Sequence, residues 1–222
     1  MIRALVFDLD DTLFPEREFV QSGFKAVDEW LRNARSIQGF QDMAAAEFST
    51  GVRKNVFNLA LHRLGVSDDP ELVRQMVEVY RAHNPRIRLF ADADWALNHF
   101  AGRMQLGLLT DGYLEVQRRK VAALGIVHRF AAVVYSDEAG REAWKPSPVP
   151  YENVMTQLQR RGNECVYVGD NPAKDFIAPK VLGWRTVQIR RDGGEHVGIK
   201  APLTHEADAV IDSLEDIEDL IT

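Results

Sequence analysis

Three carboxylates follow directly after a short apolar run near the start of the chain. The run at residues 4–7 precedes Asp8, Asp10 and Asp11. An apolar run of this length with turn-forming residues behind it predicts a strand buried on both faces of a parallel sheet. Ligands of open α/β sheets bind outside the carboxyl ends of the strands, so Asp8 and Asp10 are expected where chemistry takes place. Buried carboxylates need a partner, and an oxygen-rich site suits a hard cation such as Mg²⁺.

Polar residues suited to phosphate chemistry also mark three later segments, each of which we expect at the end of a strand. Thr110, Asp111 and Gly112 come directly after the apolar run at 106–109. The Thr110 hydroxyl could hold a phosphoryl oxygen, and the next two N–H groups, at the start of a predicted helix, would attract an anion. Taken alone, this segment is more typical of an ordinary turn in which Thr110 or Asp111 caps the helix.

The third and fourth segments add a lysine and two further aspartates. Lys145 lies just before two prolines, which favour extended backbone at the residues that precede them. A lysine fixed in this way could neutralise a phosphoryl group. The apolar run at 165–168 leads to Asp170 and, five positions later, to Asp175. Helix capping is the plain alternative for each aspartate. Because four segments carry such residues, we favour a common site.

Taken in this order, the four segments resemble the motifs of the haloacid dehalogenase superfamily. Its phosphatases carry DxDxT, a Thr or Ser at the second strand end, a Lys, and GDxxxxD. The resemblance extends from Ile2 to about Ile189, which is most of the chain. It implies a Rossmann-like fold and a hydrolase that acts on phosphomonoesters.

The resemblance also implies a role for each residue. Asp8 corresponds to the nucleophile that forms an aspartyl-phosphate, and Asp10 to the general acid/base. Thr110 and Lys145 correspond to the groups that hold and neutralise the phosphoryl oxygens, within a phosphate-binding set of Thr110, Asp111, Gly112 and Lys145. The implied Mg²⁺ ligands are Asp8, the backbone carbonyl of Asp10 and Asp170, with Asp175 in support.

Two residues sharpen this interpretation. Members of the superfamily that displace halide do not need a proton donor at the position of Asp10, so this residue indicates phosphoryl transfer. Lys174 departs from the Asn found in many capped members, which puts the hydrogen bonding around Asp175 in question.

Two alternatives to a phosphatase remain at this point. One is a phosphomutase with the same two aspartates, and the other is a phosphate-binding protein without turnover.

The periodicity of apolar residues predicts an α/β fold with an inserted helical segment. Strands and helices alternate after about residue 86, which is typical of a Rossmann-like parallel sheet flanked by helices. Residues 15–85 instead carry apolar stripes at helical spacing, which predict an all-helical cap of three to four helices between core segments 1–14 and 86–222. The predicted elements after the cap are helices near 92–101, 113–124, 149–160 and 173–182, strands near 106, 132–135, 165 and 185–189, and a last short strand and helix within 206–220.

A cap at this position would control substrate access in the resembling family. Its candidate specificity residues are polar or basic side chains of the cap and its hinges: Arg17, Arg53, Lys54, Asn55 and Arg86. The basic clusters Arg118-Arg119-Lys120 and Arg160-Arg161 are expected to be solvated helix faces.

Composition is consistent with these predictions. The chain has 222 residues, of which 45% are hydrophobic, with a formal charge of −6, and this balance gives no support for nucleic-acid binding. Cys165 is the single cysteine, so an internal disulfide is impossible, and we expect it to be buried in a strand. We find no apolar stretch of membrane-spanning length and no signal-peptide pattern. We therefore expect a cytoplasmic monomer or homodimer that acts on a small phosphorylated metabolite.

Overall fold

The computed structural model describes residues 1–67, 69–199 and 202–221. The chain divides into two compact units, one formed by Met1–Glu16 with Arg88–Thr222 and the other by Arg17–Ile87. We call the first the core unit and the second the helical unit. That the helical unit acts as a cap stays a prediction.

The core unit is built on a parallel sheet in the order β3-β2-β1-β4-β5-β6. The strands are β1 (Ala4–Phe7), β2 (Gln105–Thr110), β3 (Ala132–Tyr135), β4 (Cys165–Gly169), β5 (Arg185–Ile189) and β6 (Ala209–Ile211). All four residues of β1 and all five of β4 are buried, as expected for strands covered on both faces. Cys165 is fully buried in β4, as predicted.

The helices are α1 (Glu16–Arg35), α2 (Phe40–Ser49), α3 (Val56–Arg63), α4 (Pro70–Ala82), α5 (Ala91–His99), α6 (Leu114–Leu124), α7 (Val149–Leu158), α8 (Ile177–Val181) and α9 (Ile217–Ile221). The predicted Rossmann-like fold class is confirmed, since helices alternate with the parallel strands of the core unit from β1 to β5. Within it, the rings of Tyr151 on α7 and Tyr167 on β4 pack edge to face at a centroid separation of 5.1 Å. This contact fixes α7 against the central strands.

Two predictions about the path of the chain in the core unit are wrong. Helix α8 is five residues long, because the residues before it form a turn in which the amide of Asn171 donates to the Asp175 carboxylate and the amide of Asp175 donates to the Asn171 carbonyl. Lys145 does not follow a strand directly. Two short 3₁₀ turns, Ser136–Ala139 and Arg141–Ala143, separate it from β3.

The helical unit has an aromatic core. Phe24 of α1 makes edge contacts with the rings of Phe40, Phe48 and Phe57, at centroid separations between 6.1 and 6.4 Å. Gly23 allows the ring of Tyr80 to lie directly on α1, since a Cβ at position 23 would overlap with two carbons of that ring. The four helices of this unit are therefore tied together by ring packing.

Within the part of the chain that the structure describes, no helix is both long and apolar enough to cross a membrane.

Candidate active site

The sheet topology brings three of the predicted site residues to one edge. Asp8 follows β1, Thr110 ends β2, and Asp170 follows β4. Strand β1 lies between β2 and β4, and Phe7 is in register with Leu108 on one side and Val168 on the other. The carboxyl ends of these three strands therefore coincide, at the point of an open α/β sheet where ligands bind.

Lys145 joins the nucleophile candidate to the last aspartate of the fourth motif. Its Nζ donates to Asp8 Oδ1 at 2.7 Å, to Asp175 Oδ1 at 2.8 Å and to the Tyr167 hydroxyl at 2.9 Å. The lysine side chain is completely buried. All three ammonium hydrogens thus have a partner, which fixes the charge at one point in the site.

The site holds more negative than positive charge. Asp8, Asp170 and Asp175 are buried and can each place a carboxylate oxygen within 4.8 Å of the others. Burial raises the pKa of Asp8 to about 7, against the lowering effect of Lys145. Burial and the neighbouring carboxylates of Asp175 and Asp8 also raise the pKa of Asp170 well above its ordinary value. A hard divalent cation would neutralise this excess of negative charge. The set of carboxylate oxygen donors therefore fits such an ion.

Asp175 is held by a tight loop, and Lys174 is not one of the hydrogen-bond partners of its carboxylate. Its Oδ2 accepts the amide of Asn171 at 2.9 Å. A Cβ at position 169 would lie 2.5 Å from the same oxygen, which explains the glycine of this motif. Lys174 instead points to Asp111, whose Oδ2 lies 3.2 Å from its Nζ.

Asp10 is bound by two side chains of α6 that the sequence analysis did not identify. Lys120 Nζ donates to Asp10 Oδ1 at 2.6 Å, and Gln117 Nε2 donates to Oδ2 at 2.8 Å. Gln117 also donates to the Thr110 hydroxyl at 2.5 Å, which links the second strand end to Asp10. Lys120 is buried, so the prediction that it belongs to a solvated face is wrong. Lys120 lies three residues after Gln117, a spacing that places both side chains on one face of a helix. This spacing could have indicated from the sequence that the two side chains act together.

The capping alternative holds for Asp11 and fails for Thr110 and Asp111. Asp11 Oδ1 accepts the amide of Glu16 at 2.8 Å at the start of α1, so Asp11 does cap a helix. The first amide of α6, that of Leu114, donates instead to Asp137 at 2.9 Å. Thr110 and Asp111 are therefore free of the capping role that was the alternative for them.

The remaining predicted residues fall into two groups. Asp111 and Gly112 lie in the turn between β2 and α6, where Asp111 Oδ1 accepts the amide of Lys145 at 3.2 Å. The specificity candidates all belong to the helical unit, and two of them line a cavity within it. These five candidates are Arg17, Arg53, Lys54, Asn55 and Arg86.

Replacing Lys120 with methionine is expected to lower kcat by about 10- to 100-fold, within the range that a general acid/base supplies, with a smaller change in KM. The reason is that Asp10 would lose one of the two donors that orient its carboxylate. Steady-state kinetics measure the effect. Arg118→Met is the matched control, because it removes the same charge from α6 but from an exposed side chain that pairs with Glu115 and Glu138. Equal kinetics in the two variants would contradict the positioning role.

The stability of the metal-free protein is expected to fall as the pH rises from about 4 to about 8. Burial raises the pKa of Asp8 from 3.8 to about 7, and burial together with Asp10 raises that of Glu16 from 4.5 to about 8. Between these values the folded chain holds protons that the unfolded chain has released, so folding becomes less favourable as protons become scarce. Urea unfolding in the presence of a chelator, at a series of pH values, measures the slope. Glu16→Gln should make the loss of stability with pH smaller. A wild-type free energy of unfolding that rises over this pH range would refute the expectation.

Comparisons with known proteins agree on one family. The family model described as haloacid dehalogenase-like hydrolase matches residues 5–189. The glyceraldehyde 3-phosphate phosphatase of Methanopyrus kandleri is 30% identical over 204 residues, covering 86% of this chain and 85% of that protein. The phosphoserine phosphatase of Thermus thermophilus is 32% identical over 163 residues, covering 73% of this chain and 62% of that protein.

A solved structure has the same fold. The 2-haloacid dehalogenase from Pseudomonas syringae pv. Tomato superposes with a TM-score of 0.68, covering 100% of this chain and 98% of that one. Its sequence identity is 21%, so the likeness concerns the fold alone.

Proposed function

Because this chain belongs to the haloacid dehalogenase-like hydrolases and is a phosphatase of that family, we propose that it is a Mg²⁺-dependent phosphomonoester hydrolase working through an aspartyl-phosphate on Asp8. The observation that carries the proposal is the arrangement of two aspartates with different partners. Asp8 is paired with the buried Lys145, whereas Asp10 is held by Lys120 and Gln117 beside Thr110. One carboxylate can serve as nucleophile and the other as acid and base.

In the first step, a carboxylate oxygen of Asp8 attacks phosphorus. The new bond between Asp8 and phosphorus forms as the bond from phosphorus to the leaving oxygen breaks, and Asp10 gives its proton to that oxygen. Lys145 and the Thr110 hydroxyl would contact the phosphoryl oxygens and stabilise their charge. Lys145 and Thr110 are already held in place before substrate binds. Lys145 donates buried hydrogen bonds to Tyr167 and Asp175, and the Thr110 hydroxyl accepts a buried hydrogen bond from Gln117.

In the second step, Asp10 takes a proton from the attacking water. The water oxygen bonds to phosphorus, and the bond to Asp8 breaks, which releases inorganic phosphate, restores the Asp8 carboxylate and returns Asp10 to its protonated form. The same residue acts as acid and then as base, as the two halves of the reaction require.

The surplus negative charge of the site supports the metal part of the proposal. Asp8, Asp170 and the backbone carbonyl of Asp10 would hold Mg²⁺, with Asp175 in support. When bound, the ion neutralises charge between the anionic nucleophile and the anionic substrate. Lys145 alone cannot balance three buried carboxylates.

We further propose that the substrate is a small phosphorylated metabolite and that the helical unit acts as its cap. The relatives named above are phosphatases of small molecules, glyceraldehyde 3-phosphate and phosphoserine. Asp10 supports phosphoryl transfer over halide displacement, because a halide leaves without a proton.

The test combines product analysis with trapping of the intermediate. Phosphorus NMR of a panel of phosphomonoesters, with Mg²⁺ or with a chelator, should show inorganic phosphate only when the metal is present. An Asp10→Asn variant given an activated aryl phosphate should gain the mass of one phosphoryl group at Asp8, because that leaving group needs no proton whereas hydrolysis needs the base. An isomeric phosphate ester in place of free phosphate would favour a mutase. Absence of turnover and of labelling would favour a binding protein.

A further inference from the structure

The helical unit contains a cavity of about 440 Å³, and every described residue that lines it belongs to this unit. This volume lies within the range of about 300–1,000 Å³ that is typical of small-molecule sites. Four aromatic rings form much of the wall, those of Phe24, Phe48, Phe57 and Tyr80. The residues assigned to phosphoryl transfer belong to the core unit and are not among the described residues that line this cavity.

The aromatic wall is fixed in shape. The Phe24 ring contacts the rings of Phe48, Phe57 and Tyr80 at centroid separations of 6.1, 6.2 and 6.1 Å. Phe48, Phe57 and Tyr80 are only half-buried, so part of their apolar surface remains open to solvent. A planar apolar ligand would cover that surface without a rearrangement of the rings, which favours binding.

The polar groups of the wall are cationic or neutral. Two arginines and two asparagines line the cavity, and no carboxylate does so among the described residues. The Arg53 guanidinium lies over the Phe48 ring, 3.8 Å from its centroid, and donates to the Phe48 carbonyl at 2.7 Å, which holds its charge on the wall. These four polar residues are Arg53, Asn55, Asn58 and Arg81.

Asn55 adopts an uncommon conformation at the edge of this cavity. It precedes α3 with a left-handed backbone, φ +59°, and its side chain makes no capping hydrogen bond although Asn is among the favoured N-caps. Residues in such conformations are often found at ligand sites. The side-chain amide of Asn55 thus does not cap the helix.

We propose that this cavity binds an aromatic carboxylate, with the flat ring against the aromatic wall and the carboxylate at its arginine and asparagine side. Charge complementarity and the volume of the cavity both support this class. A cationic or amino-bearing ligand would find no carboxylate among the described lining residues. Such a carboxylate could be a free anion or the organic part of a phosphorylated compound. The proposal does not depend on the phosphatase mechanism.

The test uses the full chain and two probes of similar shape, 2-naphthoate and the neutral 2-naphthalenemethanol. Fluorescence titration should show saturable binding at one site, with the anion bound about tenfold or more tightly than the alcohol, as charged hydrogen bonds predict. Asn55→Asp should weaken naphthoate about tenfold, leave the alcohol unchanged and, because Asp also tolerates a left-handed backbone, keep the fold. Lys54→Met is the matched control, since it makes the same change in charge at an adjacent exposed residue that does not line the cavity.

Three results would overturn the proposal: no saturable binding to the wild type, equal affinity for both probes, or equal effects of Asn55→Asp and Lys54→Met. These titrations contain no substrate, so their failure would leave the phosphatase proposal intact. Inhibition kinetics then separate the two sources of the ligand. Competition of naphthoate with a phosphomonoester would indicate the organic part of a substrate, and binding without competition would indicate a separate anion. Both results agree with the site.

Discussion

An Asp8→Asn variant is expected to release phosphate at least about 10⁴-fold more slowly than the wild type, because an amide cannot form the covalent intermediate. The same variant should be at least as stable as the wild type when both are free of metal. Asp8 is a buried carboxylate whose pKa is raised to about 7 by burial, and it faces two further carboxylates. Replacing it with a neutral group of the same shape removes repulsion, so function and stability oppose each other here.

Phosphate release and thermal unfolding in a chelator measure the two parts of this prediction. Asp11→Asn is a suitable control, since Asp11 follows the same strand but its carboxylate caps α1 and accepts the amide of Glu195. We expect the control to keep its rate within about tenfold. A residual rate in Asp8→Asn above about one hundredth of the wild type would remove Asp8 as the nucleophile.

Much of the core unit could be predicted because its strands are buried on both faces. A continuous apolar run such as Ala4–Phe7 predicts a strand buried on both faces, and the aspartate after it then falls at the end of that strand. The boundaries of β3 and β5 agree with the predicted 132–135 and 185–189. Local patterns therefore determined the fold class and the edge of the sheet at which Asp8, Thr110 and Asp170 meet.

Long-range contacts account for what the sequence could not predict. Lys120 and Arg118 are both basic residues of α6, yet Lys120 is buried against Asp10 and Arg118 is exposed. Only the rotation of the helix about its axis distinguishes them, and that rotation is set by packing. The shortening of α8 has a similar origin, because the Asp175 carboxylate competes with helix formation by accepting the amide of Asn171.

The position of Lys145 also depends on long-range contacts. The expectation that Lys145 lies at a strand end was wrong, because two 3₁₀ turns separate it from β3, yet its side chain still reaches Asp8, the predicted nucleophile. Motif order can thus predict which groups meet without predicting the path of the chain. The specificity candidates depend on still longer-range contacts and stay predictions.

Replacing Lys145 with methionine is expected to destabilise the metal-free protein by about 3–5 kcal/mol and to abolish phosphate release. Methionine fills a similar volume, so the loss of stability reports the removal of the positive charge and not a change in packing. Without the ammonium group, Asp8 and Asp175 would remain buried with no cation between them. Leaving such charges unpaired is far more costly than breaking an exposed pair.

Urea unfolding of the variant with and without Mg²⁺ separates the two roles of this lysine. Lys174→Met is the control, because Lys174 pairs with Asp111 at 3.2 Å but its side chain is 33% exposed, so its loss should destabilise the protein less than the loss of the fully buried Lys145. Saturating Mg²⁺ should restore much of the stability of Lys145→Met, since a divalent ion among the same carboxylates supplies the missing positive charge. Activity should nevertheless stay absent, because the phosphoryl oxygens would still lack the Lys145 ammonium group. Recovery of stability and activity together would mean that Lys145 only balances the charge of the carboxylates.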